Sequence, residues 1–325
     1  MNRHTSHLVI LLLLAFTSVV IAMITGSADT GTGEFLRYLN GQASTLEQTI
    51  FQLRLDRALD AFIVGGLLSV AGALLQVLLR NPLAEPYILG LSGGAGVFTL
   101  SALLLGISSM WTPLTAFTGA LLSTLLVFSI SYSGGNWRTE RLLLTGVMIA
   151  AGWSAVISFL LTISNQQQVK GMLFWLMGDL SQAGYTTAGT IVLLVTLILS
   201  WSIARPLNLL VRGEQQAAAL GIRILQIRLL IFVLAAAMAA TAVSMAGSIG
   251  FVGLNMPHSL RLLGIRDYRM LLPAAIRAGG TFLVLTDTLA RTILAPQQIP
   301  VGVITALIGV PVFLVLLQRQ YGRKE

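Results

Sequence analysis

The chain has 325 residues, of which 55% are hydrophobic and only 10% charged. A soluble domain of this length would carry about 81 charged residues at the usual quarter of its composition, and this one carries 20 basic and 12 acidic, too few to cover a water-facing surface. The net charge of +8 would suit nucleic acid only if the basic residues formed one solvated patch; they are scattered between apolar runs, which excludes nucleic acid as a partner and makes the lipid bilayer the expected surroundings.

A bilayer core about 30 Å thick takes about 20 apolar residues per helix, so the length allows ten spans and no large soluble domain. The first run covers residues 8–24, after Arg3. Its 17 residues exceed a signal-peptide core of about 7–15, and Thr25, Gly26, Ser27 and Ala28 make a poor cleavage site, so a retained helix is expected. A second span is predicted over 59–79, where Gly65, Ser69 and Ala73 recur at every fourth residue and form a small-residue packing seam. Further spans are predicted over 93–110, 113–132, 142–163, 188–204, 227–247, 271–294 and 300–317. The outer segments 26–53 and 164–187 are long enough to hold structure, and Trp175 and Tyr185 in the second are expected at the membrane interface.

A tenth candidate, residues 249–265, contains Gly250, Gly253, Pro257, His258 and Arg261 and would fail a simple hydropathy threshold. Charge distribution restores it. With a cytoplasmic amino terminus and ten crossings, 15 of the 20 basic residues fall inside, and only Arg37, Arg54, Arg57, Lys170 and Arg291 fall outside. Omitting this span would move the tail with Arg319, Arg323 and Lys324 outside, against the positive-inside bias. The expected fold is an all-α polytopic membrane protein, one domain over 1–325, with about ten transmembrane helices and both termini cytoplasmic.

Residue types needed for membrane-embedded chemistry are scarce. Without cysteine there is no disulfide, thiolate metal site or cysteine nucleophile. The two lysines, Lys170 and Lys324, precede Gly171 and Glu325, so no phosphate-binding G-x-x-x-x-G-K-[ST] loop exists. His4, His7 and His258 form no zinc motif, and no metal site is expected. Asp287 is an acidic residue deep in an apolar run, a functional candidate by default, but Arg291 lies one turn on, where an ion pair would neutralise both. A structural pair and an ion-coupled site both remain open for it. The inside loop 205–228 is too polar to span; residues 213–221 read as a short helix stopped by Gly221, which could lie in the headgroups or dock a soluble partner.

Four stretches carry a resemblance: RLDRALDAFIVGGLLSVAGALLQVLLRNPLAEPYILGLSGGA from Arg54, the 213–221 loop, FWLMGDLS from Phe174, and the region from Ile249 containing IGFVGLNMPHSLRLLG, DTLAR and PQQIPVGVITALIGVPVFLVLL. In this order, over nearly the whole chain, they resemble the FecCD-type permeases, the ten-helix membrane subunits of ABC importers for iron-siderophores, haem and vitamin B12. The resemblance implies a permease in the inner membrane of a bacterium, not an enzyme, that works with two copies of a cytoplasmic ABC ATPase, a second permease subunit (a homodimer being expected) and an extracytoplasmic substrate-binding protein. It also implies that ATP is bound by the partner and that this chain holds no cofactor. The expected cargo is a ferric siderophore, with haem or cobalamin as alternatives and an ion-coupled secondary transporter as the rival of another class.

Residue by residue, the resemblance makes Gly213, Glu214, Ala217, Ala218, Leu220 and Gly221, within a coupling loop over about 205–226, the ATPase-coupling helix. It makes Arg54, Arg57 and Arg291 docking sites for acidic residues of the binding protein. Two positions depart from the family pattern: Asp56 stands where proline is usual, implying a different turn before the second span, and Gln298 replaces a glutamate beside Pro300.

Overall fold

The central column is α3, Thr45–Leu78, whose 34 residues make a rod of about 51 Å. It begins well before the predicted start at residue 59. Ser44 accepts the Glu47 N–H at 3.3 Å while the Glu47 carboxylate accepts the Ser44 N–H at 2.7 Å, a capping box that starts a helix wherever no proline interrupts it. Asp56 therefore lies inside a continuous helix, and the turn expected there is absent. In the computed structural model, which describes residues 3–27, 31–132, 139–181, 184 and 186–321, 94% of the apolar window of α3 is buried.

Around it stand α1 (Arg3–Ile24), the short outer helix α2 (Thr32–Leu39), α4 (Leu91–Leu104), α5 (Thr112–Ser131), α6 (Thr139–Ile163), the outer helix α7 (Gln166–Leu176) and α8 (Thr186–Ser202). They are followed by α9 (Ala204–Arg212), α10 (Glu214–Ala219), α11 (Ile224–Ala246), α12 (Val252–Leu262), α13 (Tyr268–Thr292) and α14 (Val301–Tyr321). Among the described residues there is no strand. Among the described residues six helices are long and apolar enough to cross a bilayer, and α8 with α9, bent by 58° at their junction, makes a seventh when the pair is taken as one span. The remaining expected spans correspond to α4, α12 and α14. Arg138, Tyr185, Arg323 and Lys324 lie outside the described residues.

The small-residue seam acts as packing surface. A Cβ on Gly65 would collide with the Gly279 carbonyl of α13, one on Gly279 would meet Ser69, and one on Gly72 would collide with Gly253 of α12. Backbones approach this closely only where side chains are absent, which is how helices associate without a hydrophobic drive between them.

The tenth span is built from two unlike parts. Residues 247–251 are non-helical, and α12 supplies only 11 residues, about 16 Å. Exposed backbone groups cannot face lipid, and here they are answered by protein: the Tyr87 hydroxyl accepts the Ile249 N–H at 3.2 Å and the Glu85 carboxylate accepts the Phe251 N–H. Gln76 of α3 donates to the carbonyls of Ala84, Gly253 and Leu254 and accepts from Arg261, fastening α3 to α12 and to the chain at Ala84.

Candidate functional site

At the end of the molecule assigned inside by the charge distribution, the 205–226 loop forms two helices. Gly213, at φ +142°, breaks the chain between α9 and α10, and Gly221, at φ +82°, ends the second helix; both values lie in the region that glycine enters without strain. Ala217 is fully buried and anchors α10, whereas Ala218 and Gly221 are exposed and Leu220 is 66% exposed. Glu214 faces the protein, paired with Arg80 and Arg228. Its role in this structure is to orient α10, while Ala218, Ala219 and Leu220 make the small apolar surface that projects outward. Such a surface suits insertion into a cleft of a soluble partner.

The three candidate docking arginines meet at the opposite end, and they are not free in solvent. Arg57 Nη2 lies 2.8 Å from Asp287 Oδ1, and Arg291 Nε lies 3.1 Å from Asp287 Oδ2. Arg57 also donates to Gln298 Oε1 at 3.0 Å. Arg54 donates to the Met23 and Ile24 carbonyls at the end of α1, where a cation is favoured by the helix dipole, and lies over the Phe51 ring at 5.7 Å. Arg54 and Arg291 are 5% and 4% exposed. Arg54, Arg57 and Arg291 border a cleft of about 340 Å³, also lined by Ser27, Ser181 and Gln298.

A larger cavity of about 790 Å³ opens at the same end, lined among others by Lys170, Phe174, Trp175, Asp179, Gly247 and Gln298. Gln298 borders both spaces, and Trp175, expected only as an interface anchor, faces the larger one. Among the described residues no group of three His, Asp or Glu side chains gathers as a metal site.

Two acidic residues escaped the sequence reasoning. Asp60, 2% exposed, accepts from Thr186 Oγ1 at 2.6 Å and from the Gly184 N–H at 3.0 Å, so a side chain from α3 holds the chain where it enters α8. Its position just inside the predicted second span was a readable signal. Glu85 had none, because it lies in a segment with no apolar run.

A profile of the FecCD transport family matches residues 11–319. The chain belongs to the FecCD transport family. Its relatives include the vitamin B12 import system permease protein BtuC of Salmonella typhimurium (strain LT2), 36% identical over 321 residues, which covers 97% of this chain and 96% of the relative. The corresponding protein of Klebsiella pneumoniae is 37% identical over 318 residues, covering 96% and 93%. A solved metal-chelate type ABC transporter in an inward-facing conformation superimposes with TM-score 0.84 at 31% identity, over 97% of this chain and 99% of that one. PsaBC from Streptococcus pneumoniae shares the fold, with TM-score 0.58 at 17% identity, over 90% of this chain and 100% of that one. This FecCD member is thus an all-α, multi-pass permease of an ABC importer, a transport component. The ion-coupled rival also loses its residue, since Asp287 is held by two arginines.

Proposed function

We propose that this FecCD permease carries a cobalamin-class metal chelate inward across the inner membrane of a bacterium. The observation that carries the reading is the end-to-end similarity to vitamin B12 import permeases at 36–37% identity. The siderophore expected first from the sequence finds no counterpart in those names, and cobalamin, the alternative, replaces it.

In this reading the apolar surface of Ala218, Ala219 and Leu220 docks on a cytoplasmic ATPase, present twice, which binds and hydrolyses ATP; this chain needs no cofactor of its own. A second permease copy covers α6, whose apolar window is only 11% buried in the single chain. A substrate-binding protein meets the end that carries Arg54, Arg57 and Arg291. The arginines serve it from behind the 340 Å³ cleft, packed into the protein, rather than as exposed ion-pair partners, which favours orientation over affinity.

The test is co-purification with the cognate ATPase, followed by uptake of cyanocobalamin and of a ferric siderophore into proteoliposomes loaded with ATP and binding protein. Leu220→Asp is expected to lose the ATPase without unfolding the permease, and uptake is expected for cyanocobalamin alone. Siderophore uptake without cyanocobalamin uptake would overturn the cargo; uptake driven by an ion gradient with no ATPase would overturn the importer.

A further inference from the structure

Among the described residues only Arg80, at φ +48°, and Phe251, at φ +70°, hold left-handed backbone without being glycine. Such conformations cost an L-residue energy and persist where the surroundings over-determine them, often at switch regions. The two residues stand at the ends of one chain of contacts. Arg80 opens the segment 80–90 between α3 and α4, and its guanidinium pairs with Glu214, the first residue of α10. Further along the same segment, Glu85 accepts the Phe251 N–H, Tyr87 accepts the Ile249 N–H, and Pro86 lies against Gly253. At its far end the Ile88 carbonyl touches Gly146, and Gly90 touches Ile149, both on α6.

We propose that segment 80–90 is the transmission element of this permease: displacement of α10 reaches the non-helical 247–251 stretch and α6 through Arg80, Glu85 and Tyr87, which act as positioning residues. The proposal rests on the ABC-importer reading. The segment is stiff enough to carry a displacement, because Pro82 and Pro86 fix two of its φ angles, Asn81 Oδ1 accepts the Leu83 N–H at 2.9 Å, and the Ala84 carbonyl is tied to Gln76. Its far side is the part of the span with the fewest backbone bonds of its own, so a shift there changes which group answers each N–H. That stretch leads to the outer cavity: Gly247 lines it, a Cβ on Gly247 would collide with the Trp175 carbonyl, and one on Gly302 would collide with the Met177 carbonyl and come close to that of Ser248. Of the six long helices, α6 is the least buried and so the least restrained by the rest of the chain.

The chain has no cysteine, so spin labels can be placed at Met148→Cys on α6 and Ile198→Cys on α8, both exposed in the single chain, in one permease copy assembled with an unlabelled second copy. The intrachain distance is measured by pulsed electron resonance in the importer assembled with its ATPase in liposomes, without nucleotide and with vanadate-trapped ATP, alongside ATP hydrolysis and thermal stability. The parental chain is expected to shift its distance distribution on trapping. Glu85→Leu should retain at least half the hydrolysis and lose the shift, while Glu85→Gln, whose amide oxygen can still accept the Phe251 N–H, should keep it. Arg80→Leu should also lose the shift and decides the matter if Glu85→Leu fails to fold. A folded Glu85→Leu importer that shifts like its parent overturns the transmission role alone. A parental chain that never assembles with the ATPase overturns the importer reading and the route with it.

Discussion

Arg57 Nη2 and Asp287 Oδ1 lie 2.8 Å apart although the residues are 230 positions apart in sequence. This ion pair joins the outer part of α3 to the outer part of α13, and Arg291 completes it from the same helix as the aspartate. Removing the carboxylate would leave buried guanidinium groups without a counter-charge. Asp287→Leu is therefore expected to destabilise the chain by roughly 3–5 kcal/mol. Arg57→Leu should cost less, because Arg291 stays on the carboxylate. Denaturant unfolding in lipid nanodiscs measures both, and equal losses would show that the two arginines do not share the aspartate.

Gly72 and Gly152 are both glycines within long helices, and their surroundings differ completely. A side chain at Gly72 has no room before the Gly253 carbonyl, whereas a Cβ at Gly152 meets nothing within 4 Å. Gly72→Ala is expected to push α3 from α12 at a cost of roughly 1–3 kcal/mol, the range for overpacking a dense interior. Gly152→Ala should leave the stability of the isolated chain unchanged or slightly raised through better helix propensity. Thermal unfolding of the two variants side by side checks this, and a Gly72→Ala chain as stable as its parent would refute the close approach.

The membrane class, the order of the helical segments and the short helix over 214–219 were legible because each depends on a local property: apolar run length, glycine placement and the distribution of arginines. What was not legible depends on partners distant in sequence. The polar residues 45–58 belong to a span-forming helix because Ser44 and Glu47 start it and because Arg54 and Arg57 find partners on α1 and α13. Hydropathy cannot see either. The same holds for residues 247–251, whose non-helical path is stable only because Glu85 and Tyr87 reach across from another loop. Arg54, Arg57 and Arg291, named together by the resemblance, line one cleft, yet their burial, which changes how they could serve a partner, appears only once α1, α3 and α13 are packed.

The outer helix α2 provides a pH-dependent element. Phe35 and Tyr38 rest on the Phe51 ring of α3, with centroids 5.6 and 5.0 Å away, and Arg37 pairs with Glu34 and Glu47. The N–H groups of Glu34 itself and of Gly31 hold the Glu34 carboxyl below its ordinary range, with the Arg37 charge adding to this. A carboxyl lowered in the folded state lends stability above its unfolded pKa and loses it as pH falls through the folded value. The seating of α2 is thus expected to be unchanged from neutrality down to the ordinary carboxylate range and to loosen below it. A spin label at Leu39→Cys, on an exposed side chain, should gain mobility in that acidic window and not in the Glu34→Gln variant, which should be looser already at neutral pH. An acid response that survives Glu34→Gln would assign the effect to another group.

Pro273 lies inside α13 and carries no N–H, so the Arg269 carbonyl one turn earlier loses its helical donor. Trp201, at the end of α8, supplies the replacement: its indole Nε1 donates to that carbonyl at 3.2 Å. The tryptophan is thus tied to the proline by hydrogen-bond accounting and not only by packing. Trp201→Phe should cost about 0.5–1.5 kcal/mol in the parental chain, the range for one net hydrogen bond. In a Pro273→Ala background the backbone N–H restored at that position returns to the Arg269 carbonyl, and the same Trp201→Phe change should cost close to nothing beyond lost contact area. A double-mutant cycle read from unfolding in nanodiscs isolates the difference. A Trp201→Phe cost that is the same in both backgrounds would mean that the indole contributes through burial at the membrane interface, with the freed carbonyl answered by other means.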